Sequence, residues 1–188
     1  GEYVSFTGNM SGMLIAEYIL REKKANGTLP ANGALVETIV TTDMAKAIAK
    51  AYGVKLIEVL IEVLTGFKYI GEQIKFFEQQ NSYEYVFGLE ESYGCLAGTY
   101  ARDKDACVAV MMLCEVAAWC KSNGITLWDD MLSLYGKYGY YKEGLETMTL
   151  KGMDGAEKIQ SMMNEMRNNP PKKIGAWDVL ALRDYKKD

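Results

Sequence analysis

The chain has 188 residues, 49% hydrophobic and 24% charged, which suffices for one domain and part of another. A net charge of −4 without long Lys or Arg runs argues against a nucleic-acid partner. The sequence has no histidine, which excludes Ser-His-Asp catalysis and histidine-ligated metal sites. No stretch reaches the roughly 20 apolar residues of a membrane span, and no signal peptide precedes the first predicted helix. We therefore expect a cytoplasmic protein without a membrane partner.

In the first half of the chain, predicted helices alternate with predicted strands. Apolar residues at helical spacing indicate helices, and β-branched or aromatic runs indicate strands. In chain order the pattern predicts helix 9–24, strand 34–40, a helix from Thr41 to Gly53, a strand from Val54, a helix from Phe67, and strand 83–87.

The second half continues with a short strand at 98–102 and a long helix that begins at 103–105. Val110, Leu113, Cys114 and Ala117 are predicted to form the inward face of that helix. Thr126 and Asp129 have the spacing of a capping box, which predicts the next helix. The remaining predicted elements are strand 140–150, helix 156–167 and strand 174–183.

The four cysteines are Cys95, Cys107, Cys114 and Cys120. They lack the paired C-x-x-C spacing of a zinc site. Buried thiols in a reducing compartment are the expected state.

A tandem copy interrupts the predicted strand that begins at Val54. Ile57–Leu60 has the sequence IEVL, and Ile61–Leu64 repeats it directly. An insertion of even length preserves which face of a strand each side chain occupies. One continuous strand, one continuous helix and a bulged-out copy are all compatible with the pattern. Deletion of the second copy is expected to be tolerated.

Two loops carry polar groups suited to a ligand. Glu90, Glu91 and Ser92 follow the predicted strand 83–87, and ligands of α/β proteins bind outside the carboxyl ends of strands. Their two carboxylates and hydroxyl could bind a polyol, although a solvated acidic turn is the alternative. Gly66 precedes the helix that begins at Phe67, and such a helix start can bind an anion. The alternative there is an ordinary glycine turn with a core phenylalanine.

Three stretches together resemble the α-D-phosphohexomutase superfamily, and in particular the bacterial phosphoglucomutases. They are TGFKYIGEQI, FGLEESYGCLAGTYARDKDA and ETMTLKG, which occur in the family's order. The resemblance implies an α/β fold, namely a three-layer α/β/α sandwich with a mixed, mainly parallel four-stranded sheet. A partial α+β element is expected to follow it.

The resemblance also implies a division into parts of three domains. Residues 1–30 resemble the tail of the upstream domain that carries the metal loop. Residues 31–136 resemble the sugar-recognising domain, and residues 137–188 resemble the start of the C-terminal, phosphate-binding domain. The family's enzymes interconvert hexose 1-phosphates and 6-phosphates through a phosphoserine and Mg²⁺. The expected partners are therefore a hexose phosphate and the remaining domains of the parent enzyme.

Five site residues follow from matching positions. The first Glu and the Ser of the family's EES motif bind sugar hydroxyls, which implies these roles for Glu90 and Ser92. The TG-aromatic-K turn contributes a further sugar contact and maps to Gly66 and Phe67. Lys104 of the RDKD segment lies where the family places a basic residue near the substrate.

The sequence also departs from the family's pattern. The family's aspartate-rich metal loop, phosphoserine motif and R-P-S-G-T phosphate loop do not occur in these residues, and a single IEVL copy would match better. We therefore expect a phosphoglucomutase fragment that binds no metal and has no mutase activity alone. The alternatives are a stand-alone sugar-phosphate-binding or regulatory module and a purely structural α/β domain.

Overall fold

The computed structural model describes residue 3, residues 5–59 and residues 66–184. The chain divides into two compact units, Gly1–Glu143 and Gly144–Asp188. The second IEVL copy lies outside the described residues, so the predictions about its conformation concern a part of the chain that the structure does not describe.

The first unit is built around a four-stranded sheet whose strands lie in the order β2 (Lys55–Val59), β1 (Gly33–Thr38), β3 (Glu84–Leu89) and β4 (Cys95–Ala97). β1 pairs in parallel with β2 and β3, whereas β3 and β4 are antiparallel. The predicted mixed, mainly parallel sheet is confirmed. Its elements are α1 (Gly8–Ala25), β1 (Gly33–Thr38), α2 (Met44–Tyr52), β2 (Lys55–Val59), α3 (Phe67–Gln80), β3 (Glu84–Leu89), β4 (Cys95–Ala97), α4 (Ala106–Ser122) and α5 (Leu127–Tyr138).

Helices cover both faces of this sheet. Successive strand side chains point to opposite faces, so Ala34 and Val36 of β1 pack with α3, whereas Leu35 packs on the other side. That second side is covered by α1, α2, α4 and α5, whose apolar residues join one core cluster. The three-layer α/β/α sandwich is therefore confirmed for this unit.

Local sequence signals account for the helix boundaries. The predicted capping box at the start of α5 is present: the Asp129 amide donates to Thr126 Oγ1 at 3.1 Å, and the Thr126 amide donates to Asp129 Oδ2 at 2.8 Å. Asp105 caps α4 by accepting from the amides of Cys107 and Val108. α2 ends at Tyr52 and is capped by Gly53, whose φ of 71° is left-handed.

The predicted strand at residues 98–102 is wrong. The edge strand lies earlier, at Cys95–Ala97, and Gly98 leaves it with a φ of +83°. Arg102 then donates through Nη1 to the Thr99 carbonyl at 2.6 Å, which curls the segment back on itself. Such a segment cannot continue a ladder, since its carbonyls bind a local side chain instead of a neighbouring strand.

The predicted inward face of α4 is partly wrong. Val110 and Cys114 are exposed, whereas Val116 and Cys120 are buried. α4 is apolar around its whole circumference, so periodicity could not identify the face that packs against α1. In the described part of the chain no single helix has the length and hydropathy of a membrane span. Within the described residues, α4 and α5 reach that length and hydropathy when they are taken together, but the pair is bent by 90° at its junction.

The prediction of buried thiols therefore holds for half of the cysteines. Cys95 and Cys120 are buried, but Cys107 and Cys114 are exposed on α4. Burial raises the pKa of the Cys95 thiol to about 11, and the nearby Asp105 carboxylate adds to this shift. The two buried thiols are consequently expected to react far more slowly than the two exposed ones.

The second unit consists of a helix and a small hairpin. α6 (Gly152–Asn168) matches the predicted helix, and β5 (Lys173–Ile174) pairs antiparallel with β6 (Trp177–Asp178). The long strands predicted at 140–150 and 174–183 are wrong, since the first segment has no regular structure and the second holds only this hairpin. A segment with an alternating pattern forms a strand only where a neighbouring strand pairs with its backbone N–H and C=O groups.

Candidate functional site

The loop that joins β3 to β4 is a closed five-residue turn, residues 90–94. The Glu90 amide donates to the Gly94 carbonyl at 2.8 Å, directly beyond the last strand pair, Leu89 and Cys95. Tyr93 adopts a left-handed φ of 70°, which is uncommon for a residue other than glycine. Its hydroxyl donates to the Phe6 carbonyl at 3.0 Å, which ties the loop to the segment before α1.

The first turn of α1 supports this loop from behind. A Cβ atom at Gly8 would overlap the Glu91 carbonyl, and one at Gly12 would meet Leu89 Cδ1 at 2.5 Å. Only glycine therefore allows α1 to approach so closely. Our sequence interpretation missed this support; the two glycines of GNMSG were the available signal.

Three of the five predicted site residues converge on Gly94. A methyl group placed on Gly94 would lie 2.9 Å from Glu90 Oε2, 3.1 Å from Lys104 Cδ and 3.5 Å from Phe67 Cδ2. A carboxylate oxygen, the stem of a basic side chain and an aromatic ring therefore share one small space at the carboxyl end of β3. Gly94 is the last residue of the EESYG motif, but the motif did not predict that these three side chains meet there.

The other two predicted residues lie beside this space. Gly66 is the N-cap of α3. Because glycine has no side chain, it cannot accept a hydrogen bond from the first amides of the helix. It directly precedes Phe67, whose ring is 3% exposed in the core. Ser92 lies exposed in the turn of the loop. The structure thus brings Phe67, Glu90 and Lys104 together and leaves the Ser92 hydroxyl open to solvent.

The electrostatics of the site centre on Glu90. Burial is the main cause that raises the pKa of its carboxyl, and the neighbouring Glu91 raises the pKa further, whereas Lys104 lowers it. Glu90 is only 8% exposed, so an opposing cation or hydroxyl donors would stabilise the charged form of its carboxyl. Lys104 is exposed, and its Nζ lies 3.4 Å from Asp103 Oδ1.

Arg102 is paired away from the loop. Its guanidinium lies 2.6 Å from Glu78 Oε1 of α3. Arg102 is therefore a paired surface charge and not a cation that faces the loop. Its backbone is also close to α3, since a Cβ atom at Gly71 would overlap the Arg102 carbonyl. This contact holds the segment that leads to Lys104 against the start of α3.

A resident metal ion does not fit the described residues. In residues 5–59 and 66–184, no group of three or more Asp, Glu or Cys side chains could hold one. Three carboxylates lie near the loop, those of Glu90, Glu91 and Asp103, but they do not form such a group.

Comparison with known protein families gives a match over most of the first unit. Residues 7–138 match the family described as phosphoglucomutase/phosphomannomutase, alpha/beta/alpha domain III. This match covers more than half of the 188 residues. The chain belongs to the phosphoglucomutase/phosphomannomutase family. The resemblance inferred from the EESYG and RDKD motifs is confirmed.

Individual relatives agree with this assignment. A phosphoglucomutase from Staphylococcus aureus strain N315 is 33% identical over 185 residues, which is 98% of this chain and 32% of that protein. The chain thus spans about a third of this relative's length. A candidate phosphomannomutase from Thermus thermophilus has a TM-score of 0.53 at 20% identity, over 78% of this chain and 30% of that one. The Paramecium phosphoglucomutase pp63/parafusin, in its open form, has a TM-score of 0.51 at 21% identity, over 72% of this chain and 21% of that one. These two structures share the fold.

Proposed function

We propose that this chain is the sugar-recognising part of a cytoplasmic phosphoglucomutase that interconverts glucose 1-phosphate and glucose 6-phosphate. Family membership and the similarity to the Staphylococcus aureus enzyme support this proposal. The observation that carries it is the convergence of Glu90, Phe67 and Lys104 on Gly94. A buried carboxylate beside an aromatic ring and a cation is suited to a phosphorylated sugar.

Each group has a distinct role in this proposal. The Glu90 carboxylate accepts hydrogen bonds from two neighbouring sugar hydroxyls, and charge-assisted bonds of this kind discriminate hydroxyl orientation. The exposed Ser92 hydroxyl makes a further bond to the sugar. Gly66 and the amides at the start of α3 face the ligand's oxygens, while the buried Phe67 ring supports the site from the core. The Lys104 ammonium contacts the phosphate of the ligand.

The phosphoryl transfer itself is assigned to parts of the enzyme outside this chain. We place the phosphoserine and the Mg²⁺ ligands in other domains, because the motifs that would supply them do not occur in this sequence. This chain's contribution is to bind and orient the sugar. Orientation alone is a substantial contribution, since phosphoryl transfer depends mainly on positioning and charge stabilisation.

We also propose bounds for the sugar-recognising domain that differ from those implied by the motifs. The boundaries at residues 30 and 136 remain predictions. α1 packs on the sheet within the first unit, and the family match begins at residue 7. We therefore propose that this domain begins at α1 and not at residue 31, and that residues 144–188 belong to the next domain.

Mutase kinetics test the proposal. In the full-length parent, Glu90→Gln should lower kcat/KM by about 10- to 100-fold, because one charge-assisted bond contributes roughly 1.5–3 kcal/mol. Glu91→Gln is the matched control and should change kcat/KM less than about threefold. The 188-residue chain alone should show no turnover. Turnover by this chain above a contamination control, or equal effects of the two variants, would contradict the proposal.

A further inference from the structure

Tyr93 holds an unusual backbone conformation within the 90–94 loop. Among the residues that the structure describes, Asn81 and Tyr93 have a left-handed φ without being glycine. Asn81 caps the end of α3, a position where asparagine commonly adopts this conformation. An aromatic side chain has no such local advantage, because its Cβ atom is crowded by the backbone at left-handed φ. Contacts elsewhere must therefore stabilise the conformation of Tyr93.

The hydroxyl of Tyr93 supplies such a contact. It donates to the Phe6 carbonyl at 3.0 Å. Tyr93 is 63% exposed, so burial of its ring contributes little to holding it in place. This one hydrogen bond is therefore what distinguishes tyrosine from phenylalanine at position 93.

The core of the first unit fixes the acceptor of this bond. Phe6 packs against the core cluster that includes residues of α1, α4 and α5. Its ring stacks on Trp128 in the first turn of α5, with 6.1 Å between the ring centroids and 17° between the ring planes. The bond from Tyr93 thus ties the 90–94 loop to a segment that the core holds in place.

The conformation of Tyr93 determines where Gly94 lies. The Gly94 carbonyl accepts from the Glu90 amide at 2.8 Å, and a Cβ atom on Gly94 would lie 2.9 Å from Glu90 Oε2. Rotation of Tyr93 to a right-handed conformation would move Gly94 and break the bond that closes the turn. The backbone is also confined from behind, since a Cβ atom on Gly8 would lie 2.7 Å from the Tyr93 amide nitrogen. The geometry around the Glu90 carboxylate therefore depends on residue 93.

We propose that Tyr93 is a positioning residue for sugar binding, which acts through Glu90. Its hydroxyl, bonded to the Phe6 carbonyl, holds the 90–94 loop in the conformation in which the Glu90 carboxylate meets the sugar hydroxyls. This inference rests on the proposed function, because it requires Glu90 to bind the sugar. The Tyr93 hydroxyl donates its proton to the protein and not to the sugar.

Amide exchange of the 188-residue chain tests the positioning step without any ligand. Tyr93→Phe keeps the ring and removes the hydroxyl. The Glu90 amide, which closes the turn, should then exchange at least about threefold faster, because the turn opens more often. Tyr100→Phe is the matched control: Tyr100 is 60% exposed and its hydroxyl donates to Asp105, so exchange of the Glu90 amide should be unchanged. Equal exchange rates at Glu90 in the wild-type chain and in Tyr93→Phe would overturn the proposal.

Mutase kinetics of the full-length parent test the consequence for the sugar. Tyr93→Phe should raise KM for glucose 1-phosphate by about 3- to 10-fold, the range that one neutral hydrogen bond supplies, and should change kcat by less than about twofold. The sugar must then order the loop, which weakens binding of the substrate and of the transition state alike. A loss of folded enzyme alone would lower kcat and leave KM unchanged, and that result would overturn the proposal.

Combination with Glu90→Gln decides whether Tyr93 acts through Glu90. In the Glu90→Gln background, Tyr93→Phe should raise KM by less than about twofold, because the group that Tyr93 positions is already lost. An equal effect in both backgrounds would mean that Tyr93 contacts the sugar by itself, and would overturn the proposal. A neutral Tyr93→Phe beside an impaired Glu90→Gln would overturn this inference alone. A neutral Glu90→Gln would overturn the proposed function and this inference with it.

Discussion

The two compact units differ in how they bury apolar side chains. In residues 1–143, helices cover both faces of the sheet, and Phe87 and Leu35 are fully buried. In residues 144–188, Gly155 is the buried residue of α6, whereas Trp177 and Leu180 are 81% and 96% exposed. The first unit thus carries its own core, while the second has elements without the layer that would cover them.

This difference determines where a site can be held rigidly. The 90–94 loop leaves a strand of the central sheet and is backed by α1, so its geometry depends on the core of the first unit. A site requires such support, since binding groups must stay within a fraction of an ångström of their working positions. Four predictions test the contrast between the units.

The largest effect of a single substitution is expected from truncating a core aromatic residue. Phe87→Ala should destabilise the first unit by about 3–5 kcal/mol, because it removes a fully buried ring and leaves a cavity. Trp177→Ala is the matched change in the second unit and should cost less than about 0.5 kcal/mol. Urea unfolding followed by circular dichroism measures both. Similar costs would show that the second unit also has a core.

A buried carboxyl in the first unit should make stability depend on pH. Glu37 is 1% exposed in β1, directly beside Glu58 of β2, and its Oε2 has no hydrogen-bond partner among the residues that the structure describes. Burial raises the pKa of Glu37 from 4.5 to about 9, the Glu58 carboxylate adds to the shift, and Lys46 opposes it. The folded state therefore holds a proton that the unfolded state loses.

The sign of this pH dependence follows from the two pKa values. The contribution of neutral Glu37 is fully present below pH 4.5 and is lost as the pH rises through about 9. Stability should fall by up to about 1.4 kcal/mol per pH unit between these values. Glu37→Gln should flatten this slope in urea unfolding at several pH values. The exposed Glu157→Gln in the second unit should leave the slope unchanged, and a slope that persists in Glu37→Gln would refute the assignment.

A smaller effect is expected where α1 supports the loop. Gly8→Ala should cost about 1–3 kcal/mol, because its methyl group would overlap the Glu91 carbonyl and force the backbone to shift. Gly144→Ala has open space around its Cβ position and should change stability by less than about 0.5 kcal/mol. Thermal unfolding of the two variants measures the difference. Equal Tm values would show that α1 does not constrain the loop.

The smallest effect is expected from deleting the second IEVL copy, Ile61–Leu64. Removal of an even number of residues preserves the alternation of side chains along any extended segment that contains them, so the Tm should change by less than about 2 °C or should rise. Deletion of Ile61–Val63 is the control, since an odd number inverts that alternation and should lower the Tm more. A large loss on the four-residue deletion would mean that the second copy contributes to the fold.

The contrast between the units also explains which parts of the fold could be predicted. The helices followed from apolar periodicity and caps such as Thr126 and Asp129, which are local signals. The strands β1, β2 and β3 were predicted from runs of β-branched and aromatic residues, and their mainly parallel arrangement was implied by the family resemblance. The strands expected at 140–150 and 174–183 failed, because alternation indicates a strand only if a partner strand is present to pair with it.

The candidate site shows the same limit. Motif resemblance identified Glu90, Phe67 and Lys104, and the structure brings them together at Gly94. The support from Gly8 could not be predicted from local pattern, since α1 and the loop are about 80 residues apart in the chain and meet only through the packed core. The outward face of α4 was also unpredictable, because its sequence is apolar on all sides.

The most direct test of the account is an NMR titration of the ¹⁵N-labelled chain with glucose 1-phosphate. We predict chemical-shift changes confined to amides around Gly66 and Glu90, with Gly94 between them, and their loss in Glu90→Ala. Such a result would mean that the sugar site is already formed in this chain. A well-folded sample without changes at these amides, or with the same changes in Glu90→Ala, would contradict a sugar site at Gly94.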